Sequence, residues 1–364
     1  MTIHSENKEE KHPNTTLYKL AYNVVLETYR KEQQWESYII ARVISEHKER
    51  YRLSAEEGVF DAEIIGNIRY TANSRADFPV VGDWVACTSY GADKLLIHKI
   101  FPRYGIIKRK AIAQFKDEQI IATNVDYGMI VQAINRDYNL NRIERYLTIC
   151  NDAYVTPLLI ISKIDLIDAT TLQAILQAIS ERMPSLVVIP ISNLHRKGIQ
   201  KLREHIKEGK TYALLGSSGV GKSSLINNLL GTAQMKTGDI STTNDRGKHL
   251  TSHRELFVLD SGGIFIDNPG MRALGMGDFS TGIDQTFDHI TTLSKDCKYQ
   301  DCSHIHESNC AVLKALQKGE LDKNSYHNYT KLLKEKAHYE NDHLAKRKKG
   351  KAFSKMVKQM KKKK

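Results

Sequence analysis

The segment Gly216-Ser-Ser-Gly-Val-Gly221-Lys222-Ser223, with a second hydroxyl at Ser224, constrains this chain more than any other. It follows the apolar run 212–215 and opens the helical pattern SSLINNLLG, so it joins a strand to a helix. Glycines there let successive backbone N–H groups turn inward around a phosphate, and the helix adds the positive end of its dipole. The pattern predicts that Gly216, Ser217, Ser218, Gly219, Val220, Gly221, Lys222, Ser223 and Ser224 cradle nucleotide phosphates. Lys222 is expected to reach the β- and γ-phosphates, and Ser223 to ligate Mg²⁺. From about residue 119 to 279, the runs YGMIVQAI, PLLIIS, SLVVIPIS, TYALLG, ELFVLD and GIFID alternate with helical stretches such as 171–179 and 199–206. That alternation is the signature of a parallel α/β sheet.

A phosphate loop alone does not choose between ATP and GTP. Upstream, Ser162-Lys163-Ile164-Asp165 directly follows the strand PLLII. A carboxylate there can accept two N–H bonds from the guanine edge, a donor pair adenine lacks, so Asp165 is expected to carry the specificity. The stem of Lys163 can lie across the purine face, and backbone N–H groups at Ser192 and Asn193 can meet the guanine carbonyl. Downstream, Asp267-Asn-Pro-Gly270 ends the strand GIFI. Asp267 is expected to hold Mg²⁺ through water, and Gly270 to donate its N–H to the γ-phosphate. Between these lies the polar stretch 241–253, suited to a loop that orders around the γ-phosphate. Thr251 is its first candidate Mg²⁺ ligand, ahead of Thr242, Thr243 and Ser252.

The order of these segments is unusual. The base-recognition segment precedes the phosphate loop, and the helix IQKLREHI runs into the phosphate-loop strand. This is a circular permutation, which a compact domain tolerates because its ends lie close together. The chain leaves the sheet just after residues 267–270, so nucleotide state is expected to pass directly into the C-terminal region.

The flanking regions read differently. Residues 1–16 are polar, and a helix is expected over 17–35. Five β-rich runs between about 38 and 110, including DAEIIGNIRYTA at 61–72, suit a small Greek-key barrel such as an OB-fold; the pattern alone leaves an SH3-like barrel open. Cys297, Cys302, His304 and Cys310 offer three thiols and an imidazole, a closed set for a structural Zn²⁺, with His306 a competing ligand. The odd cysteine count and the absence of an N-terminal hydrophobic segment or a spanning apolar run point to a cytoplasmic protein without a disulfide framework. The net charge is +12, but residues 346–364 carry eleven Lys or Arg and no acid. Without them the remainder is near neutral, so basicity belongs to the tail. There Phe353, Met356, Val357 and Met360 recur at helical spacing among lysines, as in a basic amphipathic helix on RNA. An anionic membrane surface or a solvated tail remain alternatives.

Together with VGDWV at 81–85, FPRYGIIKRK at 101–110, ATNVD at 122–126, GKHLTS and CKYQDCSHIHESNC, these motifs resemble the circularly permuted RsgA (YjeQ/YloQ) GTPases over nearly the whole chain. The chain departs from that family's pattern at Ser162, Leu250 and Asn268. The resemblance implies an N-terminal OB-fold, a permuted α/β P-loop GTPase domain and a C-terminal helical zinc domain. The expected divisions are 1–35 extension and helix, 36–110 barrel, 111–282 GTPase domain, 283–345 zinc domain and 346–364 tail. It further implies GTP hydrolysis stimulated by the small ribosomal subunit late in that subunit's maturation, with rRNA as partner. A monomer without membrane association is expected. Met271 stands where some GTPases place a water-orienting Gln, which leaves His249 as the cis candidate for that role. Two other readings are an ATP-dependent phosphoryl-transfer enzyme, disfavoured by Asp165, and an RNA-binding assembly factor with a weak or inactive nucleotide site, disfavoured by Lys222 and Asp267.

Overall fold

Short runs of alternating apolar residues broken by turns cannot bury a helix stripe, and between residues 39 and 100 they form strands. The computed structural model describes residues 15–47, 49–72, 74–91, 93–110, 118–135, 138–231, 254–268 and 279–338. Strands β1 (Ile39–His47), β2 (Arg50–Ala55), β3 (Gly58–Ile64), β4 (Trp84–Ser89) and β5 (Lys94–Ile100) run in the order β1-β2-β3-β5-β4, and β4 returns to β1. This closes an OB-like barrel in which β3 and β5 are parallel and the other neighbours antiparallel. Val43, Leu53, Ala62, Val85 and Ile97 fill its interior.

Two local readings of the sequence are corrected here. The run 61–72 is not one strand, because β3 ends at Ile64 and a helix occupies Gly66–Thr71. Ile64 at the end of the strand and Ile68 on the helix both pack against the barrel core, so the chain turns between them without leaving it. The helix expected over 17–35 is two helices, Thr16–Lys19 and Val24–Glu32. Ala21 breaks the first with φ 67°, and the Asn23 side chain caps the second by accepting from the Leu26 N–H at 3.1 Å.

After an antiparallel ribbon of β6 (Ile107–Lys110) and β7 (Glu118–Ala122), the chain builds the α/β sheet. Its strands are β8 (Tyr127–Ala133), β9 (Thr156–Ser162), β10 (Val188–Pro190), β11 (Thr211–Leu215), β12 (Arg254–Val258) and β13 (Ile264–Asp267), in the order β10-β9-β8-β11-β13-β12. Every residue of β11 is buried, as a central strand covered on both faces requires. All neighbours are parallel except β12, which runs antiparallel to β13 and, through Ser45↔Glu255 and Glu46↔Arg254, to β1 of the barrel. The sheet is therefore mixed at this edge, and barrel and α/β sheet form one hydrogen-bonded surface. Strand order reverses between β8 and β11, so the crevice at their carboxyl ends is where an open α/β sheet binds ligands.

Buried polar groups lock the barrel to this sheet. Asp83 is fully buried and accepts from Arg103 (2.9 and 2.7 Å), the Thr123 hydroxyl (2.6 Å) and the Val80 N–H (2.8 Å). Arg42, on β1, is also fully buried. It donates to Leu20 O at 2.5 Å, to Gly82 O at 3.2 Å and to the Thr211 hydroxyl at the start of β11 at 3.0 Å. Gly82 cannot carry a side chain, because a Cβ would sit 2.3 Å from Thr123 O. The segments 81–85, 101–105 and 122–126 thus interlock. Helices Ser280–Thr286, Asp288–Ser294, Ala311–Lys318 and 323–338 complete the described chain. Among the described residues, no helix is long and apolar enough to cross a membrane.

Candidate functional site

Parallel strands bring their carboxyl ends to one edge, and the segments expected to meet nucleotide follow from those ends. Leu214 of β11 is registered with Asp267 of β13 and with Met129 of β8, and Ala133 of β8 with Ser162 of β9. The loop after β11 turns through left-handed backbone at Gly219 and Gly221, with φ 80° and 96°. At Gly216 a Cβ would lie 2.4 Å from Val131 O, so the tight approach of loop to sheet admits only glycine. Helix Lys222–Leu230 then begins at Lys222.

Lys222 is buried beneath this loop, where its ammonium donates to Gly216 O at 2.9 Å and Ser217 O at 2.8 Å. Burial pushes its pKa down to about 8, and Asp267 pulls it back up. Desolvation raises Asp267 in turn, opposed by Lys222 and by the Asn268 N–H. Asp267 Oδ1 and both polar side-chain atoms of Asn268 are buried with no hydrogen-bond partner among the described residues. Such orphaned atoms fit a cation and its phosphate ligand, and their cost is met when one binds. Ser223 and Ser224 are half-buried in the first turn of the helix, Ser218 is half-buried and Gly219 exposed on the loop, and Val220 is buried.

Across the crevice, the Ser162 hydroxyl donates to Val220 O at 2.7 Å and so ties the end of β9 to the phosphate loop. A serine is long enough for this, despite standing where the family pattern has a larger side chain. Lys163 adopts the left-handed region with φ 61°. Ile164 is buried, its N–H donating to Ile191 O at 3.3 Å. The next residue, Asp165, has its carboxylate at the surface, where it accepts from the Ser192 hydroxyl. The neighbouring Asn193 donates to Gly221 O at 3.1 Å. Asn228 holds Asn193 in turn, donating to its backbone and side-chain oxygens at 3.0 and 3.2 Å. The structure thus brings together residues 162–165, 192–193, 216–224 and 267. His249, Leu250, Thr251, Gly270 and Met271 lie outside the described residues, as do Thr242, Thr243 and Ser252 and the basic tail 346–364. Sequence reasoning missed Asn228, which lies in an ordinary helical run. It also missed Tyr146, whose hydroxyl hydrogen-bonds the Ser217 side chain from helix Leu140–Asp152.

The second cluster is compact. Cys297, Cys302, His304 and Cys310 place their ligand atoms within 4.8 Å of one another. His304 Nδ1 lies 3.6 Å from Cys297 Sγ and 3.4 Å from Cys310 Sγ. His306 is not part of this group; its backbone N–H donates to Glu307. Three sulfurs and an imidazole nitrogen at this spacing fit a tetrahedral metal ion.

Comparison with known proteins agrees with this geometry. The family model "RsgA GTPase" matches residues 100–277. A protein of Bacteroides thetaiotaomicron named small ribosomal subunit biogenesis GTPase RsgA 1 is 35% identical over 96% of this chain and 98% of its own length. The chain belongs to the RsgA GTPase family. Its RsgA 1 relative in Listeria innocua is 40% identical over 82% of this chain and 84% of that protein. Two solved structures share the fold of this chain. YjeQ of Thermotoga maritima has a TM-score of 0.61 at 24% identity, covering 82% of this chain and 98% of that one. YloQ, described as a circularly permuted GTPase, has a TM-score of 0.58 at 22% identity, covering 84% and 96%. A model for ABC transporters also matches residues 199–360. That stretch contains the phosphate loop, which the two classes share, but not Asp165.

Proposed function

We propose that this chain binds GTP between Asp165 and Lys222, hydrolyses it to GDP and phosphate, and acts in maturation of the small ribosomal subunit, as its relatives' names state of them. The observation that carries the reading is the convergence of two segments distant in sequence: Ser162 on Val220, and Asn193 on Gly221. This convergence supports a reading in which a carboxylate suited to guanine and a loop suited to phosphates serve one crevice. Lys163 flanks the purine, Ser192 orients the Asp165 carboxylate, and the backbone at 192–193 faces the guanine oxygen. Residues 216–224 wrap the phosphates, and the Lys222 ammonium exchanges its loop carbonyls for phosphate oxygens. Ser223, Asp267 and Thr251 would hold Mg²⁺, which supplies charge neutralisation between the phosphates. Catalysis is then mostly positioning and electrostatic stabilisation, with Gly270 at the γ-phosphate and His249 orienting water.

The metal of Cys297, Cys302, His304 and Cys310 is proposed to be one structural Zn²⁺, because no ligand position remains open for chemistry. The barrel, this cluster and the basic tail are proposed to contact rRNA, in a cytoplasmic monomer, and the subunit to accelerate hydrolysis. The test is GTP turnover with and without purified small subunits, with Lys222→Ala as control. Faster turnover with subunits, abolished by Lys222→Ala, supports the proposal. Equal rates with and without subunits remove the ribosome-dependent part, and no turnover in either condition favours an RNA-binding factor with an inert nucleotide site.

A further inference from the structure

A single helix, Leu140–Asp152, touches both the phosphate loop and the C-terminal region. One face packs on the sheet: Ile143, Tyr146, Leu147 and Cys150 are buried there. From that face Tyr146, 1% exposed, meets the side chain of Ser217, the second residue of the phosphate loop, its phenol oxygen accepting from the Ser217 hydroxyl. Burial pushes the phenol's pKa up to about 12, against the lowering effect of the Ser217 bond, so Tyr146 stays neutral across the working pH range.

C-terminal elements grip other positions of the same helix. Glu144 is buried and accepts from Ser325 (3.1 Å) and Asn328 (2.5 Å), both on helix 323–338, while Arg182 clamps it at 2.6 and 2.7 Å. Arg145 forms a two-pronged pair with Glu335 at 2.8 and 2.6 Å. At Thr148 the backbone of helix Ser280–Thr286 comes so near that a Cβ on Gly282 would lie 2.1 Å from the carbonyl oxygen. Asn151 donates to Thr286 at 3.0 Å. The far end of this grip reaches the cysteine cluster, because the Tyr326 hydroxyl donates to His304 O at 2.7 Å.

We propose that helix Leu140–Asp152 is the lever by which the C-terminal region sets the phosphate loop, with Tyr146 as the positioning residue at the loop end. The route is short and made of discrete contacts: His304, Tyr326, helix 323–338, Glu144 and Arg145, then Tyr146 and Ser217. Any partner that shifts helix 323–338 shifts the hydroxyl that pins the loop, and through it the carbonyls of Gly216 and Ser217 that Lys222 engages. The proposal rests on the nucleotide site described above and adds its regulation. It differs from a signal passing along the chain after Asp267, because it runs through a helix on the opposite flank of the loop.

The test is a double-mutant cycle on the affinity of the full chain for a fluorescent GDP. Tyr146→Phe removes one hydroxyl, and Glu335→Ala removes the distant grip without touching the site; Ser325→Ala is a second distant variant. Melting curves establish that each variant folds. Each single change is expected to weaken GDP by about three- to tenfold, the range of one hydrogen bond. In the Tyr146→Phe background, Glu335→Ala and Ser325→Ala are expected to have no further effect. Sites that share no partner give additive effects, so additivity, or no effect of either distant variant on the otherwise unaltered chain, overturns the lever. Failure of the unaltered chain to bind GDP overturns the nucleotide-site reading itself, and the lever with it.

Discussion

The Asn193 amide donates a 3.1 Å hydrogen bond to the Gly221 carbonyl, joining the loop beside Asp165 to the residue that precedes Lys222. The two loops proposed to recognise opposite ends of the nucleotide are thereby held at a set separation, which would lower the ordering cost of binding.

Asp165→Asn should exchange the preference for guanine against xanthine, because an amide cannot accept both N–H bonds of the guanine edge. Two hydrogen bonds to a carboxylate, at about 1.5 kcal/mol each, correspond to roughly a hundredfold loss of GTP affinity. Competition of GDP and xanthosine diphosphate for the variant reads this directly. An unaltered preference for guanine sinks the assignment of Asp165.

Lys222 predicts how affinity depends on pH. Its folded pKa is lowered to about 8, chiefly by burial. A bound phosphate supplies the anion that burial withholds, so binding raises that pKa. Below about pH 8 the lysine is protonated both free and bound, and affinity is level. Above it the free site has lost a proton that the complex must recover, and affinity falls by up to about tenfold per pH unit until the bound pKa is passed. Lys222→Arg keeps its proton throughout. GDP titrations of both chains from pH 7 to 9.5 should therefore diverge above 8, and parallel profiles would remove Lys222 as the cause.

Removal of the metal should loosen one specific place. Cys310 caps helix Ala311–Lys318, its sulfur accepting from the Leu313 N–H at 3.4 Å, and His304 is held by Tyr326. A chelator that strips the ion is expected to lower the melting temperature and speed hydrogen exchange over residues 297–318, while GTP still binds. Elemental analysis should find one zinc per chain, and about none in Cys310→Ser. A full zinc content in that variant would place the ion elsewhere.

What the sequence revealed, and what it hid, follows from how local each constraint is. The phosphate loop was legible because Gly216, Gly219 and Gly221 meet their backbone requirements within eight residues. The cysteine cluster was legible for the same reason, with His304 rather than the competing His306 as its fourth member. Barrel strands showed their period of two, but the change from strand to helix after Ile64 and the break at Ala21 depend on which surface those residues cover, and sequence does not carry that. The Arg42–Thr211 bond spans 169 positions, and the Asp83–Arg103 and Tyr146–Ser217 contacts join residues with no shared periodicity. β12 reads as one more strand of a parallel sheet, whereas its antiparallel course depends on the barrel edge beside it.

Asp83 illustrates a motif whose role is architectural. Asp83→Ala would leave the Arg103 guanidinium, 14% exposed, without its carboxylate. Removing one partner of a buried ion pair costs about 3–5 kcal/mol, because the other charge stays desolvated. Denaturant unfolding should show that loss. A change below about 1 kcal/mol would mean that Arg103 holds its backbone carbonyls at Ala76 and Phe78 without help from Asp83.

Gly282 offers the sharpest test of how the C-terminal helices dock. It lies inside helix Ser280–Thr286 with no positive φ, so alanine there suits the local backbone and, in an isolated helix, adds about 1 kcal/mol of stability over glycine. The packed structure predicts the opposite sign. A Cβ would meet Thr148 O at 2.1 Å and the Asp152 Cβ at 2.8 Å, and the first of these is backbone of a helix that cannot retreat without leaving the sheet. Overpacking of this kind costs about 1–3 kcal/mol. Gly282→Ala is therefore expected to lower stability and to release helix Ser280–Thr286 from Leu140–Asp152, visible as faster hydrogen exchange in both helices. If alanine instead raises the melting temperature, helix propensity has won, and the two helices are not in the close contact described.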